Sequence, residues 1–295
     1  MRVLLAGASG FVGRAVAHAL AGAGHEVVAR SRRSAPALDF IHATLPQDWL
    51  PHLAGIDAVV NAVGVLRDSP RAPMAAVHAA APQALFEACA QAGVRRVVHV
   101  SALGIERNPT RYAQTKRAAD AALLRLTQAG ALDGLVLRPS LVFGSGGASS
   151  RLFVALSHLP LLTLPRPVLH ARVQPLAVDE LAEAVAALLP TRGQCGLMEL
   201  GGPEALTLAG FIATLRAQRG AAPARVLPLP GWATRASAWL GDQVPVSPWC
   251  SETLALLATD NIAAPGRLAQ LLSRPATPPS TLLATLARPL AAHAA

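Results

Sequence analysis

The chain has 295 residues, 52% hydrophobic and 15% charged, with a net charge of +9 from 26 Lys and Arg against 17 Asp and Glu. This length and apolar content suit a large α/β unit with a substantial core and exclude a disordered chain. The arginines are dispersed, aromatics reach only 4% and no nucleic-acid module is visible, so nucleic acid is not an expected partner.

In chain order, the first half alternates short apolar runs with longer helical ones. Strands are predicted at Arg2–Ala6, Glu26–Arg30, Asp57–Val63, Arg96–Ser101 and Gly134–Arg138, with helices over 11–23, 73–92 and 111–129 between them. The strands are continuous apolar runs, as expected where both sheet faces are covered, and the repetition predicts a Rossmann-type doubly wound parallel sheet. A glycine-serine loop over 144–150 changes the rhythm. Beyond it come predicted helices at 178–189 and 207–218, a strand at Leu197–Leu200, a Pro-, Gly- and Trp-rich stretch over 221–248 and a last helix over 248–258. The expected organisation is a dinucleotide-binding domain over 1–148, a smaller substrate or cap region over 149–264 interleaved with it, and a Pro/Ala-rich tail over 265–295 with room for partial disorder.

Isolated Cys89, Cys195 and Cys250 fit a reducing compartment, and nine histidines in no ligand spacing predict no metal. The opening superficially resembles a signal peptide, but Gly7, Ser9, Gly10 and Gly13 break its apolar run. No uninterrupted run of 18 apolar residues exists, so no transmembrane segment is expected. The location expected is cytoplasmic, with peripheral contact at the inner membrane face as a variant.

Gly7-Ala-Ser-Gly10-Phe-Val-Gly13 falls between the first strand and the first helix. There Gly7 permits a tight turn, Gly10 lets a pyrophosphate approach the backbone and Gly13 lets helix and strand pack closely, while the helix N-terminus supplies amides. The second strand ends in Ala29-Arg30-Ser31-Arg32-Arg33, where NAD-preferring sites place an acid. Clustered guanidiniums suit a 2′-phosphate, so NADP(H) is expected, with NAD(H) the alternative.

The only tyrosine and the only lysine of the chain stand four apart, as Tyr112-Ala-Gln-Thr-Lys116. On a helix they share a face, and an ammonium near the phenol is expected to pull its pKa from about 10 towards neutrality, giving a usable acid and base.

With these features the chain resembles a short-chain dehydrogenase/reductase of the extended or atypical, epimerase-like type. The similarity runs from residue 1 to about 215. Its further signs are Asp57-Ala-Val-Val-Asn-Ala-Val-Gly64, Arg138-Pro-Ser-Leu-Val-Phe-Gly144, Gln174-Pro-Leu-Ala-Val-Asp-Glu180 and Leu200-Gly-Gly-Pro203. Val100-Ser-Ala-Leu-Gly104, Met198–Leu208, Val226–Pro230 and Ala258-Thr-Asp-Asn261 are similar to bacterial relatives of the NADPH-binding accessory subunit of respiratory complex I.

The resemblance implies catalytic roles for Tyr112, Lys116 and Ser101, with Lys116 also on the nicotinamide ribose. Gly7, Ser9, Gly10, Phe11, Val12 and Gly13 would surround the pyrophosphate, and Arg30, Ser31 and Arg32 the 2′-phosphate. Ala62, Val63 and Gly64 would line the ribose side and Pro139 the nicotinamide. Two departures stand out. Leu103 occupies the slot where extended members carry a catalytic Ser or Thr. Thr44-Leu45 replaces the Asp-Leu pair that contacts adenine after the third strand.

The leading expectation is an NADP(H)-dependent oxidoreductase acting on a small molecule. The alternative is a non-catalytic NAD(P)H-binding subunit with a protein partner through the C-terminal region. There Trp232, Trp239 and Trp249 suit an interface, although burial in the cap's own core is the commoner fate. Arg172 is a candidate for an anionic substrate group or a surface ion pair. Leu152, Phe153 and Leu156 are candidates for an apolar wall or for helix-face core.

Overall fold

A computed structural model describes residues 1–244 and 249–287. The first half runs β1 (Arg2–Ala6), α1 (Phe11–Gly22), β2 (Glu26–Arg30), α2 (Pro46–Trp49), β3 (Ala58–Asn61), α3 (Ala81–Ala92), β4 (Arg96–Val100), α4 (Arg111–Gln128) and β5 (Asp133–Pro139). The second half adds β6 (Val142–Phe143), α5 (Ala148–Ser157), β7 (Leu161–Pro165), α6 (Arg166–His170), β8 (Arg172–Val173), β9 (Leu176–Ala177) and α7 (Val178–Leu188). It continues through β10 (Gly196–Leu200), β11 (Leu206–Thr207), α8 (Leu208–Ala217), β12 (Arg225–Leu229), α9 (Gly231–Asp242), α10 (Ser251–Leu256) and α11 (Arg267–Leu272).

The main sheet has six parallel strands in the order β10-β5-β4-β3-β1-β2. Its two faces separate by strand parity. Val3, Leu5, Val60, Val98 and Leu137 face α1 and α7, meeting Val16, Leu20, Leu181 and Val185. Leu4, Val59, Val97 and Val136 face α3 and α4, meeting Leu85, Phe86 and Leu123. Both faces are covered, which is why the strands read as unbroken apolar runs. A third cluster, built on Phe143, Phe153, Leu164 and Phe211, forms the core of the C-terminal half. β10 returns from that half to pair with β5.

Local signals set the element ends. Thr110 caps α4 by accepting from the Ala113 amide at 3.2 Å, and Gly93, at φ +75°, closes α3 in the left-handed region. The Leu200-Gly-Gly-Pro203 turn needs glycine for space. A Cβ at Gly202 would stand 1.8 Å from the Pro175 carbonyl oxygen.

Several sequence expectations need correction. The helix expected over 73–92 opens as a π-helical turn over Ala75–Ala80 before α3 begins. The loop expected over 144–150 already contains the start of α5 at Ala148. The stretch 221–248 holds β12 and α9; its residues 245–248 lie outside the described residues, as do 288–295 of the tail. The helix expected over 248–258 is the shorter α10. No strand precedes Thr44 between β2 and β3, so Thr44 lies before the third strand, in an irregular segment leading to α2.

Candidate functional site

The glycine loop rests directly on the residues that follow β3. Gly7 has φ of +84°, and a Cβ there would lie 2.9 Å from Ala62 C and O and from Val63 N. At Gly13 a Cβ would stand 2.0 Å from the Gly7 carbonyl oxygen, so only glycine lets α1 begin this close to the turn. α1 has no side-chain cap and no acid in its first turn. Its first amides and positive end are therefore available to an anion beside exposed Gly10. Ser9 contributes a carbonyl that accepts from Arg14 Nη1 at 2.7 Å. The Phe11 ring turns away to pack on the next loop, where a Cβ at Gly147 would lie 3.0 Å from it; Val12 packs against the α1 face of the core.

The same β3 tail meets α4. Lys116 is buried, and its ammonium donates to the Val63 carbonyl at 3.4 Å and the Val100 carbonyl at 3.2 Å. A Cβ at Gly64 would lie 3.5 Å from Lys116 Nζ and 3.7 Å from His78 Nε2. Tyr112 is half-buried one turn earlier, with the His78 ring set edge-on to it at 5.2 Å. Thus Gly7, Ala62, Val63, Gly64, Lys116 and Tyr112, scattered through 110 residues of sequence, form one site.

The electrostatics differ from the sequence expectation. Burial, and secondarily Asp120, pushes the Tyr112 phenol up to about 12. Burial pulls Lys116 down to about 8, with Asp120 opposing it. The expected lowering of the Tyr112 pKa is absent because the ammonium is directed at two strand-end carbonyls and the phenol is desolvated. The Tyr112 phenol is therefore neutral at pH 7.

Sequence reading missed His78, which the π-helical turn carries into the site. Its Nε2 accepts from the Val65 amide at 2.8 Å, which fixes the proton on Nδ1, 3.1 Å from Thr115 Oγ1. Burial, and then Lys116, pulls its pKa down to about 2, so the ring is neutral. A lone histidine on an apolar helix is the only sequence signal it gives.

Below the pair lies a buried polar cluster, also missed. Asp120 Oδ2 accepts from Arg138 Nε at 2.8 Å, and Arg138 also pairs with Glu106. Asp120 Oδ1 faces His99 Nε2 at 3.5 Å. Asn61 Oδ1 accepts from the Val63 amide at 3.1 Å and its Nδ2 donates to His99 Nδ1 at 3.0 Å, leaving the imidazole proton on Nε2, towards Asp120. Burial raises the Asp120 pKa, opposed by Ser101, Arg138 and Lys116. Asp120 has a legible signal: it follows Lys116 by four residues on one helix.

Ser101 belongs to this cluster. Its buried hydroxyl lies beside Asp120 without a full hydrogen bond, and none joins it to Tyr112 among the described residues. Leu103 is buried, donating its amide to the Pro139 carbonyl at 3.0 Å and accepting from Asn261 Nδ2 at 2.9 Å. Pro139 is buried at the end of β5.

At the end of β2, Arg30 Nε donates to His52 Nδ1 at 3.1 Å and Nη1 to its neighbour's carbonyl at 2.8 Å. Ser31 is buried in a turn, accepting from the Arg33 amide at 3.1 Å. Arg32 and Arg33 are exposed. Thr44 is half-buried. Arg172 forms an exposed pair with Asp260 at 2.6 Å, and Phe153 is core, edge-on to Phe211 at 5.6 Å. A cavity of about 710 Å³ opens beyond the Phe11 loop, lined by Ser145, Arg151, Val154 and His158 among others. Among the described residues no helix is long and apolar enough to cross a membrane.

The fold has known counterparts. UDP-N-acetylglucosamine 4-epimerase from Bacillus cereus is 17% identical over 96% of each chain, with a TM-score of 0.70. A nucleoside-diphosphate-sugar epimerase from Staphylococcus aureus is 16% identical over 96% of this chain and 99% of that one, with a TM-score of 0.74. UDP-glucose 4-epimerase from Thermus thermophilus, solved in complex with NAD, is 21% identical over 78% of this chain and 86% of that one, with a TM-score of 0.61. No curated protein matches the chain in sequence. At these identities the structural likeness concerns the fold alone. The family description NAD dependent epimerase/dehydratase matches residues 3–196; with that match across most of the chain, over the sheet and the site just described, the protein belongs to the NAD dependent epimerase/dehydratase family.

Proposed function

We propose that the chain is a nicotinamide-dinucleotide-dependent oxidoreductase, preferring NADP(H), with Tyr112 as proton donor and acceptor at a small carbonyl or hydroxyl substrate. The observation that carries this reading is the shared tail of β3. Gly7 packs on Ala62 and Val63, and Lys116 bonds to Val63 and borders Gly64. One extended ligand can thus touch the glycine loop and the Tyr-Lys pair together. A dinucleotide fits: uncapped α1 amides meet the pyrophosphate, and exposed Arg32, with Arg33, meets a 2′-phosphate. Arg30, committed to His52, contributes less.

When bound, the cofactor supplies or takes up the hydride at its nicotinamide ring. Tyr112, neutral at pH 7, hands its proton to the substrate oxygen in the reductive direction. Lys116 uses two of its three donors on Val63 and Val100, leaving one N–H for a ribose hydroxyl. Neutral His78 holds the Tyr112 ring edge-on without adding a second cation beside Lys116. The division into a cofactor domain over 1–148 and a substrate region over 149–264 fits this reading, as does a cytoplasmic location.

A second reading is a non-catalytic NAD(P)H-binding subunit, like the complex I accessory subunit. Leu103 favours it, since the slot for a substrate-polarising hydroxyl holds an apolar side chain while Ser101 is turned into the Asp120 cluster.

NADPH oxidation against a panel of simple carbonyls, and reduction of NADP+ by alcohols and UDP-sugars, with wild type and Tyr112→Phe, tests the proposal. UDP-sugars are included because proteins of similar fold act on them. Turnover abolished in Tyr112→Phe is expected. Tight NADPH binding without turnover in either protein supports the second reading, and absence of binding overturns both.

A further inference from the structure

α9 is docked inside out. Thr234, Ala238 and Gly241 are buried, so small side chains face the protein. Trp232 and Trp239, seven residues apart and therefore in line on the helix, are 71% and 59% exposed, and Leu240 beside them is 59% exposed. An amphipathic helix normally does the reverse. Burial of these tryptophans in the cap's core, the commoner fate, does not occur.

The presentation is built rather than frayed. Arg67 closes the C-terminal end of α9, donating to the carbonyls of Gly241 and Val244 at 2.7 Å and of Asp242 at 2.9 Å. Asp242 in turn accepts from the Ser251 amide at 3.0 Å and hydroxyl at 2.6 Å. The apolar exposure continues on both sides of the helix, through Val226 and Leu227 of β12 and through Val244. The charges of this stretch are exposed Arg225 and Arg235 against Asp242, which stays ionised, with the Arg67 guanidinium beside it at the end of α9.

We propose that the outward face of α9 is a docking surface for an anionic phospholipid bilayer. Indoles prefer the headgroup boundary, where the ring is buried and the N–H stays hydrated. Arg225 and Arg235, on a chain of net charge +9, complement an acidic surface over the first Debye length. Neither the cleft beside α5 nor the one between α1 and α7 involves α9, and a bilayer needs no groove to receive it.

Flotation with liposomes, with tryptophan emission recorded in parallel, tests the surface. Trp49 is fully buried and Trp249 half-buried, so a shift of the exposed emission reports Trp232 and Trp239. Flotation with phosphatidylglycerol-containing vesicles but not with phosphatidylcholine alone is expected, with a blue shift and quenching by brominated lipid. The W232S/W239S variant should partition about tenfold less or weaker still, with Tm and NADPH affinity unchanged, and Arg235→Glu should weaken binding chiefly at low salt. Undiminished flotation of W232S/W239S, absence of binding to either vesicle, or a concentration-dependent dimer lost in that variant would each overturn the proposal.

Discussion

Asp120 sits one helical turn beyond Lys116 on α4, and both side chains are buried. The carboxylate accepts from Arg138 Nε at 2.8 Å and attracts the Lys116 ammonium electrostatically. This pairing is the reason a lone lysine is tolerated at the end of a hydrophobic sheet, because a buried charge without a counter-charge costs far more than a paired one.

Asp120→Asn should therefore destabilise the protein by about 3–5 kcal/mol, leaving the buried Lys116 ammonium facing a neutral amide and Arg138 with Glu106 as its remaining carboxylate. Urea melts at two pH values check it. The deficit should be larger at pH 7 than at pH 9, since Lys116 loses its charge above about 8.

The Lys116 pKa falls from the ordinary 10.5 to about 8 on folding. Between those values the unfolded chain holds the proton and the folded chain does not, so stability rises with pH across that window. Below it the burial of the ammonium costs about 3 kcal/mol. Lys116→Met should thus lose the rise between pH 8 and 10.5 seen in wild type, and lose NADPH affinity while keeping or gaining stability at pH 7. A variant that retains the rise would assign it to another group.

Glycine substitutions separate the loop from its surroundings. Gly13→Ala drives a Cβ to 2.0 Å from the Gly7 carbonyl and should cost about 2 kcal/mol or more, with cofactor binding lost. Gly22→Ala meets nothing within 4 Å and should be neutral or stabilising by about 0.5–1 kcal/mol. Thermal melts of the two variants provide the contrast.

Cofactor preference should follow the exposed arginines. Arg32→Ser and Arg33→Ser are each expected to weaken NADPH about tenfold, or about 1.4 kcal/mol, near the low end for a charge-assisted hydrogen bond, with little effect on NADH. Arg30→Ser should matter less for this ratio because its guanidinium is held by His52. Calorimetric titration of each variant with both cofactors reads the ratio directly.

The legible parts of this chain were those with short-range signals. The glycine loop, the parallel strands and the Tyr112-Lys116 spacing are periodicities or local spacings within a single element, and each lies where the sequence put it. The Asp120-His99-Asn61-Arg138 cluster joins residues from β3, β4, α4 and β5, whose contact depends on strand order. His78 needed the π-helical turn, which alters the phase of a helix that apolar periodicity alone predicts as regular. The tryptophans of α9 inverted the usual rule for large apolar side chains because a small-residue face already satisfied the docking. The electrostatic expectation for Tyr112 failed for a related reason: shared helix face fixes proximity, but burial and the direction of the ammonium decide the pKa.

Hydrogen–deuterium exchange with and without NADPH tests the central claim most directly, that one dinucleotide spans the glycine loop and the Tyr-Lys pair across the tail of β3. Protection is predicted in four separate segments: the loop and first turn of α1 over 7–14, the arginine turn over 30–33, the β3 tail over 62–66 and the start of α4 over 110–117. Protection absent from these segments, or centred instead on the 144–158 cavity, would contradict it.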